Sequence, residues 1–240
     1  MTAGTKSLDA AVSRGSNHNA LLWRKIELAR PLLHQSCVRF WSRDDLAIAY
    51  PRFLLELHQI MRGGLAIMRL ALQRSRELAH ADAVAAALEE YLAGHIEEEK
   101  DHDAWLLEDM AVCGMRPDEV FSHITSPAVA ALLGAQAFWI LQEHPVAVLG
   151  YLAAVEGDPP SHDHLNLICI QSGYPADAFR CLREHADADV VHQAELRSVV
   201  DAMPLEGRHH QLLALSAFET IAGLTRLFDE LCDLRSGGGV

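Results

Sequence analysis

No stretch of 18 uninterrupted apolar residues occurs in the chain, so no segment reads as a membrane span. Basic residues are scarce: 20 Lys and Arg stand against 33 Asp and Glu, a net charge of −13. That balance argues against nucleic acid and anionic membrane surfaces as partners. The cysteines (Cys37, Cys113, Cys169, Cys181 and Cys232) are few and form no C-x-x-C pair. An odd, unpatterned set fits a reducing compartment rather than a disulfide scaffold. A Gly-rich phosphate loop, a nucleophile elbow and a dinucleotide fingerprint are all missing. The opening residues, MTAGTKSLDAAVSRGSNHN, lack an apolar core of the signal-peptide kind. They are expected to be a disordered lead over residues 1–17, and the protein is expected to be cytoplasmic.

Strand alternation is missing too. Half of the residues are hydrophobic, and they recur at intervals of three and four, the period of amphipathic helices. The spacing predicts helices over residues 20–41 and from Pro51 onward. Asp82 then caps a third helix that ends near Gly114. Further starts fall at Ser126-Pro127, at Pro145, at the Ser161 cap and at Pro175, and a last helix covers residues 205–234. Residues 117–123 read as a connector, and residues 236–240 as a flexible tail. The expected architecture is a single all-α domain over residues 18–235, a bundle of about seven to nine helices.

Within that pattern one constellation occurs twice. His95-x3-Glu99-x2-His102 lies in GHIEEEKDHDAWL, and His185-x3-Asp189-x2-His192 lies in EHADADVVHQAEL. Each copy has a leucine four residues beyond its last histidine, Leu106 and Leu196. Steps of four and three place each triad on one helix face. With 14 His and 33 acids in the chain, one match carries little weight, whereas two separate matches ask for a cause. Two imidazoles and a carboxylate on one face suit a first-row transition metal with open positions. Two such faces turned toward each other would hold two metals. The plain alternative is a pair of solvated acidic helix faces.

A two-metal carboxylate site takes a further acid, and two lie between the triads. Glu143 precedes His144-Pro145 at a helix start, where an acid compensates the helix dipole. Glu156 ends the apolar run VAVLGYLAAVEG, where a carboxylate must be paired, protonated or metal-bound, and it is preferred. Arg52, Arg62 and Arg69 on the second helix face either solvent or a substrate carboxylate. Trp105 and Trp139 flank these helices and read as packing residues. His162, His164, His209 and His210 read as surface residues.

In order along the chain, HIEEEKDHDAWLLEDM, HPVAVLGYLAAVEGDPP and EHADADVVH resemble the iron-containing redox enzymes of the haem-oxygenase-like superfamily, the diiron oxidases and oxygenases. The likeness runs from His95 to Leu234. It implies a haem-oxygenase-like helical bundle with metal ligands Glu99, His102, Glu156, His185, Asp189 and His192. The His185 motif matches the family pattern in full. In the first copy Glu98 could stand in for Glu99. His95 occupies a position where some relatives have Glu, so it is an extra ligand, a partner of the ligands or a core histidine. The resemblance further implies two Fe(II) ions, with manganese a chemical alternative, and O2 as co-substrate. The substrate would be a small molecule, an amino acid or amino-acid derivative, in natural-product biosynthesis. A fatty-acid oxidative decarboxylase, a metal-free thiaminase-like hydrolase using Cys181 or Cys169, a haem oxygenase and a non-enzymatic helical binding protein are the competing readings. A homodimer is the default assembly.

Overall fold

The apolar spacing produces helices throughout a computed structural model that describes residues 4–233, with side chains from residue 20 onward. In chain order they are α1 (Gly4–Trp41), α2 (Leu46–Leu78), α3 (Ala83–Glu98), α4 (His102–Val112), α5 (Pro117–Ser122), α6 (Pro127–Phe138), α7 (Val148–Val155), α8 (His162–Ser172), α9 (Arg180–Ala202) and α10 (Gly207–Asp233). No strand occurs among the described residues. The all-α bundle expected from the sequence is therefore observed. α10 packs along α1, α6 and α7, while α2 lies against α3, α4 and α6.

Most of the expected caps form. Asp82 Oδ1 accepts the backbone N–H of Val84 at 2.8 Å and of Ala85 at 3.0 Å. Ser126 and Ser161 accept from Val129 and His164 in the same way. Such caps contribute about 1 kcal/mol each.

Four boundaries differ from expectation. The lead expected over residues 1–17 is helical from Gly4, so α1 is longer than its apolar periodicity suggested. Residues 1–3 and 234–240, including the expected tail, lie outside the described residues. The second helix starts at Leu46, with Pro51 inside it. Pro51 cannot donate to the Ala47 carbonyl. The Tyr174 hydroxyl does so instead, at 3.0 Å, and the helix is carried past the proline. The connector over residues 117–123 contains the short helix α5, which has Pro117 at its first turn. Finally, the helix expected from Asp82 to Gly114 is two helices, broken between Glu98 and His102.

That break lies at the seam of the core. One buried cluster gathers Trp23, Ile67, Leu92, Ile96, Tyr151, Leu196 and Leu213. The other gathers Phe40, Tyr50, Phe53, Leu106, Met110, Phe179 and Ala186. The segment between Ile96 and Leu106 therefore leaves one cluster and enters the other. The segment between Ala186 and Leu196 makes the same crossing in reverse. The two leucines singled out in the sequence are both fully buried and belong to opposite clusters. Burying each is worth about 1.5–3 kcal/mol, and together they fix the direction in which the triads face.

Candidate metal centre

α3–α4 and α9 cross the seam in opposite directions, so the triads meet head to tail. The rings of His95 and His192 stand edge to face at 4.9 Å. Those of His102 and His185 do the same at 5.1 Å. Two groups of metal-ligating type result: Glu99, His102 and His185, and His95, Glu98 and His192. Asp189 and Glu156 join the second group. Asp189 Oδ1 is 3.8 Å from His192 Nδ1, and Glu156 Oε1 is 3.2 Å from His95 Nε2.

Glu99 connects the two groups. Its Oε2 lies 3.3 Å from His102 Nδ1 and 3.8 Å from His185 Nε2. Its Oε1 lies 3.4 Å from His192 Nδ1. The helix break makes this reach possible. Asp101 adopts the left-handed conformation, with φ +67°, and α4 restarts at His102. Asp tolerates that conformation better than most residues, at a cost of about 1–2 kcal/mol. Glu99 thus caps the end of α3 instead of sitting on a continuous helix face, and turns inward. Glu98 leaves 55% of its side chain exposed, against 15% for Glu99. His95 is 2% exposed and sits among the acids, not in the apolar core.

Parts of the chain far from the motifs hold these groups. The Cys181 backbone carbonyl accepts from His185 Nδ1 at 2.9 Å, which orients the ring so that Nε2 faces Glu99. Glu156 ends α7, and the next residue is clamped: the Gly157 carbonyl accepts from Gln193 of α9, and Arg30 of α1 donates to the Ala153 carbonyl at 3.4 Å. Asp109 of α4 accepts the backbone N–H groups of Arg180 and Cys181 at 3.1 and 3.0 Å, capping α9. Trp105 stacks on His102 at 4.1 Å, and Tyr91 on His95 at 5.3 Å. Trp105, expected to pack, thus packs on a ligand-type histidine. The matching signal for Tyr91, an aromatic one turn before a ligand-type histidine, was present in the sequence.

Charge is distributed unevenly. Burial would raise the Glu99 carboxyl, but His102 and His185 hold it well below the usual range. Burial pushes Asp189 up to about 7 against the pull of His185, with Glu156 and Glu99 adding to the rise. Burial would lower His95, yet its contact with Glu156 raises it.

The donor set fits metal ions. His95 Nδ1, Glu99 Oε1, His102 Nδ1, Glu156 Oε2, Asp189 Oδ1 and His192 Nδ1 are all buried without a hydrogen-bond partner. Each such group costs about 1–3 kcal/mol. Atoms bound at about 2.0–2.2 Å to one ion lie roughly 3–3.5 Å apart, close to the spacings here. Imidazole with carboxylate suits iron or manganese.

Other candidates fall away. Glu143 pairs with Arg208 at 2.6 Å, outside the cluster. Cys169 donates its thiol to the Tyr174 carbonyl. His210, expected at the surface, is buried. A cavity of about 730 Å³ opens beside the cluster, lined by Glu99, Glu156, His185 and Asp189 on one side and by α2 residues including Met61, Arg62, Met68 and Arg69 on the other. Arg52 is not among its lining residues.

A family model described as iron-containing redox enzyme matches residues 53–224. No curated protein matches in sequence. Three solved structures are similar in fold. A domain of unknown function with a haem oxygenase-like fold from Shewanella denitrificans OS217 is 15% identical, with a TM-score of 0.66 over 96% of this chain and 93% of that one. A CADD-like protein of unknown function from Nostoc punctiforme PCC 73102 is 18% identical, with a TM-score of 0.65 over 92% and 97%. A TenA homologue from Pseudomonas syringae pv. tomato DC3000 is 12% identical, with a TM-score of 0.63 over 86% and 91%. At these identities the structures establish the fold alone.

Proposed function

The chain belongs to the iron-containing redox enzyme family and has the haem-oxygenase-like fold, and from that premise we propose that it is a non-haem diiron oxidase or oxygenase. The observation that carries this reading is the head-to-tail meeting of two triads with Glu99 facing both. Glu99, His102 and His185 would hold one iron. His95, Glu156, Asp189 and His192 would hold the other, with Glu98 at the edge. When bound, two Fe(II) ions supply the electrons that activate O2 for oxidation of a C–H, C–N or C–C bond.

The chain's own residues prepare the site for that work. The Cys181 carbonyl fixes the His185 tautomer, and the Gln193–Gly157 and Arg30–Ala153 contacts hold the end of α7 on which Glu156 sits. The adjoining cavity is the substrate chamber, and a small amino acid or amino-acid derivative is its proposed occupant. A cysteine hydrolase reading is less well supported. Cys181 Sγ does lie 3.6 Å from His185 Nδ1, but burial pushes its thiol up, and that nitrogen's proton is directed to the backbone carbonyl.

Anaerobic Fe(II) titration of the purified protein, followed by Mössbauer spectroscopy and oxygen-uptake assays with amino acids and medium-chain fatty acids, tests the proposal. About two irons per chain and uptake driven by an amino acid are expected. Binding of no iron, or of one equivalent indifferent to His192→Ala, would overturn the diiron reading. Uptake with fatty acids alone would overturn the amino-acid preference.

A further inference from the structure

Two imidazoles of the second cluster have acids at both of their nitrogens. His95 Nε2 lies 3.2 Å from Glu156 Oε1, and its Nδ1 lies 4.0 Å from Glu98 Oε2. His192 Nδ1 lies 3.4 Å from Glu99 Oε1 and 3.8 Å from Asp189 Oδ1, and its Nε2 lies 3.7 Å from Glu98 Oε2. One nitrogen of each ring therefore faces the inner acids, and the other faces Glu98. The iron site proposed above uses the inner nitrogens. The outer nitrogens and the Glu98 carboxylate make a second set of three donors on the back of the same rings.

The two sides open differently. Glu99, Glu156 and Asp189 line the cavity, whereas Glu98, His95 and His192 are not among the described residues that do. Glu98 is nevertheless 55% exposed, while no other side chain of the two clusters exceeds 20%. Its exposure is to the solvent outside the chamber. Tyr91 stacks on a face of His95 at 5.3 Å, so that ring is reached at its edge. His95 Nδ1 is buried and has no hydrogen-bond partner among the described residues. An ion that arrives from this side meets Glu98 before the buried histidines behind it.

The outer set holds an ion less firmly than the inner one. Its spacings of 3.7 and 4.0 Å exceed the roughly 3–3.5 Å between atoms that share one ion. It offers one exposed carboxylate, against Glu99, Glu156 and Asp189 on the inner side. A neutral imidazole has one bare nitrogen and one N–H, so each ring offers its outer or its inner nitrogen and the two sets are filled in turn.

We infer that Glu98, with His95 Nδ1 and His192 Nε2, is the entry site for a divalent cation, which passes from there to the inner nitrogens of the same two rings. This rests on reading the inner cluster as an iron site. The bare nitrogen of each ring is the outer one while the ion is at the entry site and the inner one after it has passed.

Anaerobic mixing of the metal-free full-length protein with Fe(II), quenched at intervals with the chelator ferrozine, reads the rate of uptake. The same chelator reads release from the loaded protein. Glu98→Gln is expected to slow uptake and release of one iron at least about tenfold each, with about two irons per chain still bound at equilibrium. Glu98→Asp should restore part of the rate. Glu97→Gln removes the same charge from a neighbour that is 71% exposed, and should change the rates less than about threefold. An unchanged rate in Glu98→Gln, equal slowing in Glu97→Gln, or loss of one iron at equilibrium would overturn the entry site and leave the diiron reading in place. Uptake of a single iron at a rate that still depends on Glu98 would overturn the diiron reading and leave the entry site. No uptake by the wild type would overturn both.

Discussion

The two copies of His-x3-acid-x2-His have the same spacing but different backbones. The second lies on one unbroken helix, α9, whereas the first is cut by the turn at Lys100-Asp101. The corresponding residues in the second copy are Val190 and Val191. Valine is branched at Cβ and strongly resists the left-handed conformation that Asp101 adopts, so α9 continues where the first helix stops. The consequence reaches the middle acid of each copy. Among the described residues, Asp189, held on a regular helix, comes within 4 Å of one imidazole, that of His192, whereas Glu99, released at a helix end, comes within 4 Å of His102, His185 and His192. An identical spacing in sequence therefore yields one residue that serves a single cluster and one that joins both.

The largest expected effect is at Glu99. Glu99→Gln should reduce iron binding from about two per chain to less than one by elemental analysis, because it removes a ligand from both clusters. Glu98→Gln, on a mostly exposed side chain, should retain both irons. Equal losses in the two variants would erase the distinction drawn between these neighbours. Next come the histidines. His185→Ala and His192→Ala should each leave about one iron, in different clusters and so with different spectra. Identical spectra would mean that the clusters are not separate.

A smaller effect separates the backbones. Asp101→Gly should stabilise the protein by about 1 kcal/mol, since glycine adopts the left-handed conformation freely. Val191→Gly, at the matching position, should destabilise it by about 0.5–1 kcal/mol, the usual cost of glycine inside a helix. Urea denaturation reads both, and shifts of the same sign would contradict the account of the break.

The smallest effect is a pH dependence. Burial pushes the Asp109 carboxyl, which caps α9, up to about 6 from an ordinary value of 3.8. For an acid raised on folding, ionisation costs more in the folded state, so its contribution falls as pH rises from about 4 through 6 and is level above that. The Tm of the wild type relative to Asp109→Asn should therefore be higher at pH 4.5 than at pH 7.5. A difference independent of pH would contradict the assigned cause.

These contrasts also show where sequence reading stops. The bundle was legible because apolar period and capping residues act over one or two turns, as Asp82, Ser126 and Ser161 illustrate. The triads were legible for the same reason. The break at Asp101 was not, because neither glycine nor proline marks it. The standing of His95 was not, because its partner Glu156 lies 61 residues away in the chain. The clamp of Arg30 and Gln193 on the end of α7 depends on three helices meeting, which no local pattern reports.

Anomalous scattering at the iron edge from crystals of the Fe(II)-loaded protein tests the central claim most directly. Two peaks are predicted, one among Glu99, His102 and His185 and the other among His95, Glu156, Asp189 and His192, with Glu99 next to both. A single peak, or iron bound away from these residues, would contradict it.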